Sequence, residues 1–308
     1  MNYCQISKSA GNSLLLSEFF FISLQGILKL RGMPPYKMSD MDKKRILYIS
    51  SEIFPFVGES EISSTCKNVL TAMQDGGHEI RTFMPKWGPI NERRNQLHEV
   101  IRLSGMNLII DDTDHPLLIK VASLPAARLQ VYFIDNDDYF QNHLFTNDKD
   151  GSEYPDNDER TIFFARGVLE TVKKLRWNPD VIHCYGWMSA LIPLYVKTGF
   201  KDEPAFRDAK VVFSLCDEGF TSNFGDKYCE KLLTRGMTEQ DAGKFESPFS
   251  YVELMKKAIE FSDGIVKHSR EADKDLYQYA GKLKKARIDC STHVDSGSKL
   301  ETFYDSLF

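Results

Sequence analysis

The chain has 308 residues, 39 of them basic and 44 acidic, for a net charge of −5. That length fits roughly two domains of about 150 residues, or one large α/β domain. The mild acidity excludes the strongly basic footprint of a nucleic-acid binder, and no apolar run reaches the roughly 18 residues of a membrane-spanning helix. With 42% hydrophobic and 27% charged residues, the composition is that of an ordinary globular protein. Cysteines at 4, 66, 184, 216, 229 and 290 contain no C-x-x-C pair, so neither a zinc ribbon nor a redox dithiol is encoded locally. Reduced thiols and a cytoplasmic location are the expectation, with no metal, no cofactor, no nucleic acid and no membrane as partner.

Residues 1–42 differ from the rest. The stretch 14–28 is apolar but carries Glu18 and Gln25, and Lys8 is the only basic residue before it. No small-residue cleavage site follows, so an export signal is not predicted. Met33, Met38 and Met41 are alternative start positions, and the segment is read as an N-terminal extension. A domain is expected over 43–280 and a polar tail over 281–308.

In chain order, 46–50 is a short apolar run read as a buried strand. Residues 60–73 have helical spacing and stop at Gly76 and Gly77. Strands follow at 79–84, 100–110, 117–123 and 129–134, with 111–116 read as a turn. A helix is expected over 160–175, a strand over 180–183, a helix over 188–198 and a strand over 210–215. The last elements are a helix at 251–261, a short strand at 264–266 and a helix at 271–279. Strands alternating with helices predict a Rossmann-like α/β fold, a doubly wound and mostly parallel sheet. Ligands of such sheets sit beyond the carboxyl ends of the strands. That rule selects the loops 51–60, 135–158, 184–187 and 216–225.

Those loops carry an ordered set of motifs. Ser51-Glu52-Ile53-Phe54-Pro55-Phe56 follows the first strand, and Gly77-His78-Glu79-Ile80 opens the second. Next come Val131-Tyr132-Phe133-Ile134-Asp135, Tyr154-Pro155-Asp156-Asn157 with Arg160, and Trp177-Asn178-Pro179-Asp180-Val181-Ile182-His183. Lys256-Lys257-Ala258 through Ser262-Asp263 and Ser269 close the series. Together, from about 44 to 280, they resemble the N-terminal catalytic domain of bacterial glycogen and starch synthases, glycosyltransferase family five. The resemblance implies one half of a two-Rossmann-domain glucosyltransferase. It also implies transfer of glucose from ADP-glucose to an α-1,4-glucan, without a metal. Candidate cleft or sugar-binding residues are Glu52, Tyr154, Asp156, Asn157, His183 and Trp187.

The chain departs from the family pattern where charge matters. The family phosphate loop K-T-G-G-L-A-D corresponds here to Gly58-Glu59-Ser60-Glu61-Ile62-Ser63-Ser64. Gly58 stands at the lysine position and Ser64 at the aspartate position. A pyrophosphate at a helix N-terminus is served by a cation and free N–H groups. A carboxylate about 4 Å from a phosphate charge would instead cost about 4 kcal/mol at an effective dielectric of about 20. Ser60 also reads as an ordinary helix cap, with Glu59 and Glu61 suiting the positive helix end.

The family H-A-H-D-W-H corresponds to His183-Cys184-Tyr185-Gly186-Trp187-Met188. Gly186 replaces the aspartate that grips the transferred glucose. In T-V-H-N-L-A-Y, Cys216 replaces the histidine and Asp217 the asparagine. Structural readings stand beside the functional ones. His183 without a carboxylate partner suits a core histidine, and Trp187 suits either sugar stacking or packing of a strand–helix junction. Asp156 and Asn157 suit the N-cap region before Arg160. Cys184 and Cys216, with His183 and Asp217, form a conceivable thiol or metal cluster, against the common role of buried cysteine as a small hydrophobe.

The sequence therefore predicts a glycogen synthase-like protein that is catalytically degenerate. It would act by binding an α-glucan, a nucleotide sugar or a protein partner. Two alternatives are an active half completed in trans by a second domain and a scaffold with no small ligand.

Overall fold

The apolar runs of the sequence lie side by side in one twisted sheet. A computed structural model of the protein describes residues 43–141, 145–234, 236–291 and 296–308. The N-terminal extension, with its apolar stretch and alternative start methionines, lies outside the described residues.

Strand β1 (Arg45–Ser50) is buried from Ile46 onward. It pairs in parallel with β2 (Glu79–Pro85) on one side and β7 (Val181–Tyr185) on the other. The sheet runs β10-β9-β8-β7-β1-β2-β6-β5-β3, with β4 (Met106–Ile110) paired to β5. Here β3 is His98–Glu99, β5 is Thr113–Leu124, β6 is Leu129–Asp135, β8 is Lys210–Leu215, β9 is Gly264–Lys267 and β10 is Ala286–Asp289. From β10 to β6 every pairing is parallel, and β3, β4 and β5 close the far edge antiparallel. Strands buried on both faces read as continuous Val/Ile/Leu/Phe runs rather than alternating ones, as β7 and β8 do.

The order reverses at β1. The chain moves outward to β2 through helix α1 (Glu61–Asp75), then returns from β6 through α3 (Asn157–Leu175) to β7 on the other side. Right-handed crossovers in opposite directions place α1 and α3 on opposite faces. The gap between the ends of β1 and β7 is therefore a topological switch point, where doubly wound sheets bind ligands.

Helix α1 starts as its sequence dictates. Ser60 accepts a hydrogen bond from the Ser63 amide, and Ser63 Oγ accepts one from the Ser60 amide. This is a capping box with serine in the place of the usual glutamate. Helix α2 (Glu92–Asn95) is a single turn. Helix α4 (Leu191–Lys197) packs on α3, and α7 (Tyr251–Glu260) packs on α4. The short helices α5 (Tyr228–Lys231) and α6 (Glu239–Ala242) lie in the segment between β8 and β9 and contact each other, and α8 (Lys274–Lys282) lies beside α7.

Several expectations are corrected. The strand read over 100–110 is broken, because Leu103 and Ser104 turn back onto the Val100 carbonyl and only Met106–Ile110 is extended. The turn read over 111–116 shrinks to Asp111 and Asp112, both left-handed at φ 47° and 62°. Consecutive positive φ values make the tight hairpin turn that joins β4 to β5. Pro116 lies inside β5, but β6 pairs only from Leu118 onward, so that ladder does not need its missing N–H. The helix read from Met188 opens as a 3₁₀ turn, Trp187–Ser189, before α4.

The largest correction concerns 281–308. Instead of a tail, this segment supplies β10, paired in parallel with β9, and helix α9 (Ser296–Asp305), packed on α1. Leu300, Phe303 and Tyr304 are buried, and Lys44–Phe308 forms one compact unit. The boundary expected at 280 therefore falls inside that unit.

Candidate functional site

A cleft of about 360 Å³ opens at the switch point. Its lining comes from the ends of five parallel strands. Ser51 and Glu52 follow β1, Trp87 follows β2, Phe145, Thr146 and Asn147 lie in the loop after β6, Trp187 and Met188 follow β7, and Glu218 and Gly219 follow β8.

The aromatic wall is braced from behind. The Trp87 indole N–H donates to the Ser51 carbonyl at 2.7 Å, and its ring meets Phe145 edge-on at 5.3 Å. The guanidinium of fully buried Arg160 lies 5.1 Å from the Trp87 ring centre and 5.0 Å from that of Tyr154, and Nη1 donates to Asn157 Oδ1 at 2.6 Å. Burial lowers the pKa of Arg160 to about 10, so it remains a cation stacked between aromatic faces. Asn157 donates to the Thr146 carbonyl, and Thr146 Oγ1 accepts from the Trp187 indole N–H at 3.2 Å. Tyr154, Asp156 and Asn157 thus stand one layer behind the cleft, and none of them lines it. Asp156 occupies the N-cap position of α3 without a side-chain capping bond.

The acids gather at the mouth. Glu52 accepts a hydrogen bond from Ser60 Oγ at 2.5 Å, and burial raises its pKa. Glu61 accepts from Ser269 Oγ at 2.8 Å. The first turn of α1 thus carries its serine cap and an acid. Gly58, at the position of the family lysine, is exposed, and a Cβ there would meet nothing within 4 Å. Ser64 is half-buried in α1. Among the described residues no lysine or arginine lines the cleft.

Glu218 was not singled out by any motif. Its Oε1 accepts the Trp187 backbone N–H at 2.5 Å. Burial first, then repulsion from Glu52 and Asp217, pushes its pKa up to about 8, against the lowering effect of the Trp187 bond. It lies directly over Gly186, where a Cβ would sit 2.8 Å from both carboxylate oxygens. Gly186 has φ 76° and ψ 171°, a backbone region open essentially to glycine alone. Its glycine therefore has two causes, the backbone angle and the carboxylate above it. The only sequence signal for Glu218 is this combination of a glycine in place of a side chain and an acid at the end of the adjacent strand.

The other predicted residues fall elsewhere. His183 is fully buried in β7, with Nδ1 2.5 Å from the Tyr304 hydroxyl and Nε2 2.6 Å from Ser214 Oγ. Burial, with His268 nearby, holds its pKa well below the ordinary imidazole value, so it is neutral. It is a core histidine, not a cleft residue. Trp187 both packs the junction, 5.1 Å from the Phe220 ring, and lines the cleft. Cys184 and Cys216 are buried, and burial pushes both thiols up in pKa, away from the reactive thiolate. His183 spends both ring nitrogens on other partners and Asp217 is exposed. Among the described residues no group of three or more His, Cys, Asp or Glu could hold a metal ion, so the cysteine cluster is not assembled. No helix among them is long and apolar enough to cross a membrane.

This order of strands and loops can be set beside known proteins. The family model for the starch synthase catalytic domain matches residues 45–286. The chain belongs to that glycosyltransferase family. It is 35% identical to the glycogen synthase of Chlorobium luteolum over 235 residues, 76% of this chain and 47% of that protein. It is 41% identical to the glycogen synthase of Pelodictyon phaeoclathratiforme over 172 residues, 56% of this chain and 35% of that protein. The chain thus spans about half the length of the curated relatives it matches. In fold it is similar to the catalytic domain of starch synthase IV from Arabidopsis thaliana, solved bound to ADP and acarbose. The TM-score is 0.64 at 18% identity, over 80% of this chain and 51% of that one.

Proposed function

We propose that this member of the glycogen and starch synthase family binds the end of an α-glucan and does not transfer glucose from ADP-glucose. One observation carries the reading. The cleft at the switch point is walled by aromatic rings and by the carboxyl groups of Glu52 and Glu218, with no lysine or arginine among the described residues of its lining. A leaving diphosphate is normally stabilised by positioned cations and free N–H groups. An ionised carboxylate about 4 Å from a phosphate charge opposes it by about 4 kcal/mol at an effective dielectric of about 20, an opposition that Glu218 adds above its pKa of about 8.

A neutral sugar faces no such penalty. Its ring can lie against Phe145, the exposed one of the three aromatic side chains in the lining, and its hydroxyls can donate to carboxyl oxygens. The related starch synthase IV was solved with both ADP and acarbose. The present cleft keeps chemistry suited to the second kind of ligand and lacks the cations suited to the first.

The test is incorporation of labelled ADP-glucose into glycogen, run beside a Chlorobium glycogen synthase, together with migration through glycogen-containing native gels. Retarded migration with no incorporation is the expected result. Robust incorporation by the purified chain, or migration unaffected by glycogen, would overturn the reading.

A further inference from the structure

We propose that Glu218 is the residue that holds the ligand's hydroxyls in this cleft and sets its preference for uncharged over phosphorylated sugars. The proposal rests on the reading that the cleft takes a glucan, and it names the group that makes the choice.

The geometry is specific to this residue. Glu218 comes from the loop after β8, yet its carboxylate sits over the loop after β7. It fills the volume that a side chain at position 186 would otherwise occupy, because a Cβ there would lie 2.8 Å from Oε1 and from Oε2. The left-handed φ of 76° at Gly186 keeps that space clear. The Trp187 N–H holds Oε1 at 2.5 Å, which fixes the carboxylate beside the indole of the same residue. Both side chains line the cleft, with Glu52 across from the loop after β1.

The exposed Phe145 ring and the anchored Glu218 acceptor in one cleft match the two surfaces of a pyranose, whose faces carry C–H groups and whose rim carries O–H donors. Once ionised, above its pKa of about 8, this carboxylate makes a charge-assisted bond to such a hydroxyl. In the same ionised form it repels a phosphate brought to the same rim. Attraction to one ligand and repulsion of its competitor are together what specificity requires. Glu52 is the weaker candidate for this task, since one of its oxygens is engaged by the Ser60 hydroxyl that caps α1.

The experiment titrates the full chain with maltotetraose and with glucose 1-phosphate at pH 9, where Glu218 is ionised, following fluorescence of the cleft tryptophans. It compares the wild type with Glu218→Gln, Glu218→Ala and, as a remote exposed control, Asp226→Asn. Glu218→Gln should weaken maltotetraose binding about tenfold, the loss of about 1.4 kcal/mol, and tighten glucose 1-phosphate binding at least threefold. Glu218→Ala should weaken maltotetraose further, and Asp226→Asn should change neither. The isosteric Gln variant carries the test if the Ala variant unfolds. A wild type that binds maltotetraose, with Gln and Ala variants that match its affinity and its preference, would sink the role of Glu218 and leave the glucan reading standing. A wild type blind to maltotetraose would sink the glucan reading, and this proposal with it.

Discussion

Replacing Glu218 with glutamine should stabilise the fold, and by an amount that depends on pH. The carboxylate is partly buried, stands near Glu52 and Asp217, and receives one backbone N–H from Trp187. Its pKa is pushed from 4.5 to about 8, a difference of 8 − 4.5 = 3.5 on the pH scale. At about 1.4 kcal/mol per pH unit, the ceiling on the cost of holding it ionised is about 5 kcal/mol. Water enters an open cleft and neighbouring side chains relax, so about 2 kcal/mol is expected.

The sign follows from proton linkage. The folded state holds this proton between pH 4.5 and about 8 while the unfolded state has released it. Folding stability is therefore full below that window and falls as pH rises through it. Glutamine keeps the acceptor for the Trp187 N–H and cannot ionise. Urea unfolding of both proteins at pH 5 and pH 8.5 is the assay. The variant should match the wild type at the lower pH and exceed it by about 2 kcal/mol at the higher, within the reach of linear extrapolation. Equal stability at both values would refute the claim that this carboxylate is held against its own charge.

Other outcomes follow from the same geometry. Gly186→Ala should cost about 2–3 kcal/mol in urea melts, from backbone strain and from the 2.8 Å approach of the Glu218 oxygens. Glu218→Ala in that background should recover only the steric share. Tyr304→Phe should cost about 1–2 kcal/mol, because it removes the buried hydroxyl that partners His183 Nδ1. Gly58→Lys has open space for its side chain and should tighten ADP binding severalfold in calorimetry, by placing a cation beside the first turn of α1. Brief alkylation of the native chain at neutral pH, read by peptide mass mapping, should label half-exposed Cys229 before buried Cys66, Cys184 and Cys216.

Much of this fold was legible because its signals are local. The runs at 46–50, 181–185 and 210–215 are apolar over the length of a buried strand, and Ser60 with Ser63 marks a helix start. The site was legible in part. Glu52 and Trp187 line the cleft, whereas Tyr154, Asp156 and Asn157 brace it from behind. Spacing along a loop cannot tell a residue that faces a ligand from one that supports it. Glu218 was not legible, since its position depends on β7 and β8 lying side by side and on a glycine opposite. The segment 281–308 was misread because its basic turn resembles a solvated helix end. Its partners, His78 with Glu301 and His183 with Tyr304, lie 223 and 121 residues away.

Those separations have a consequence for how the molecule assembles. Strand β1, at the middle of the sheet, finds a neighbour in β7, and Arg45 meets Asp180 only 135 residues later in the chain. The core around His183 closes only when α9 delivers Tyr304. Long-range pairings charge their loop-closure entropy before they return any contact energy, and they slow folding accordingly. A ribosome must release the chain through Tyr304 before this sheet can be sealed on the α1 face. Until then the apolar strand ends stay open to other chains, so yield in the cell should depend on chaperone capacity more steeply than for a helical bundle of equal size.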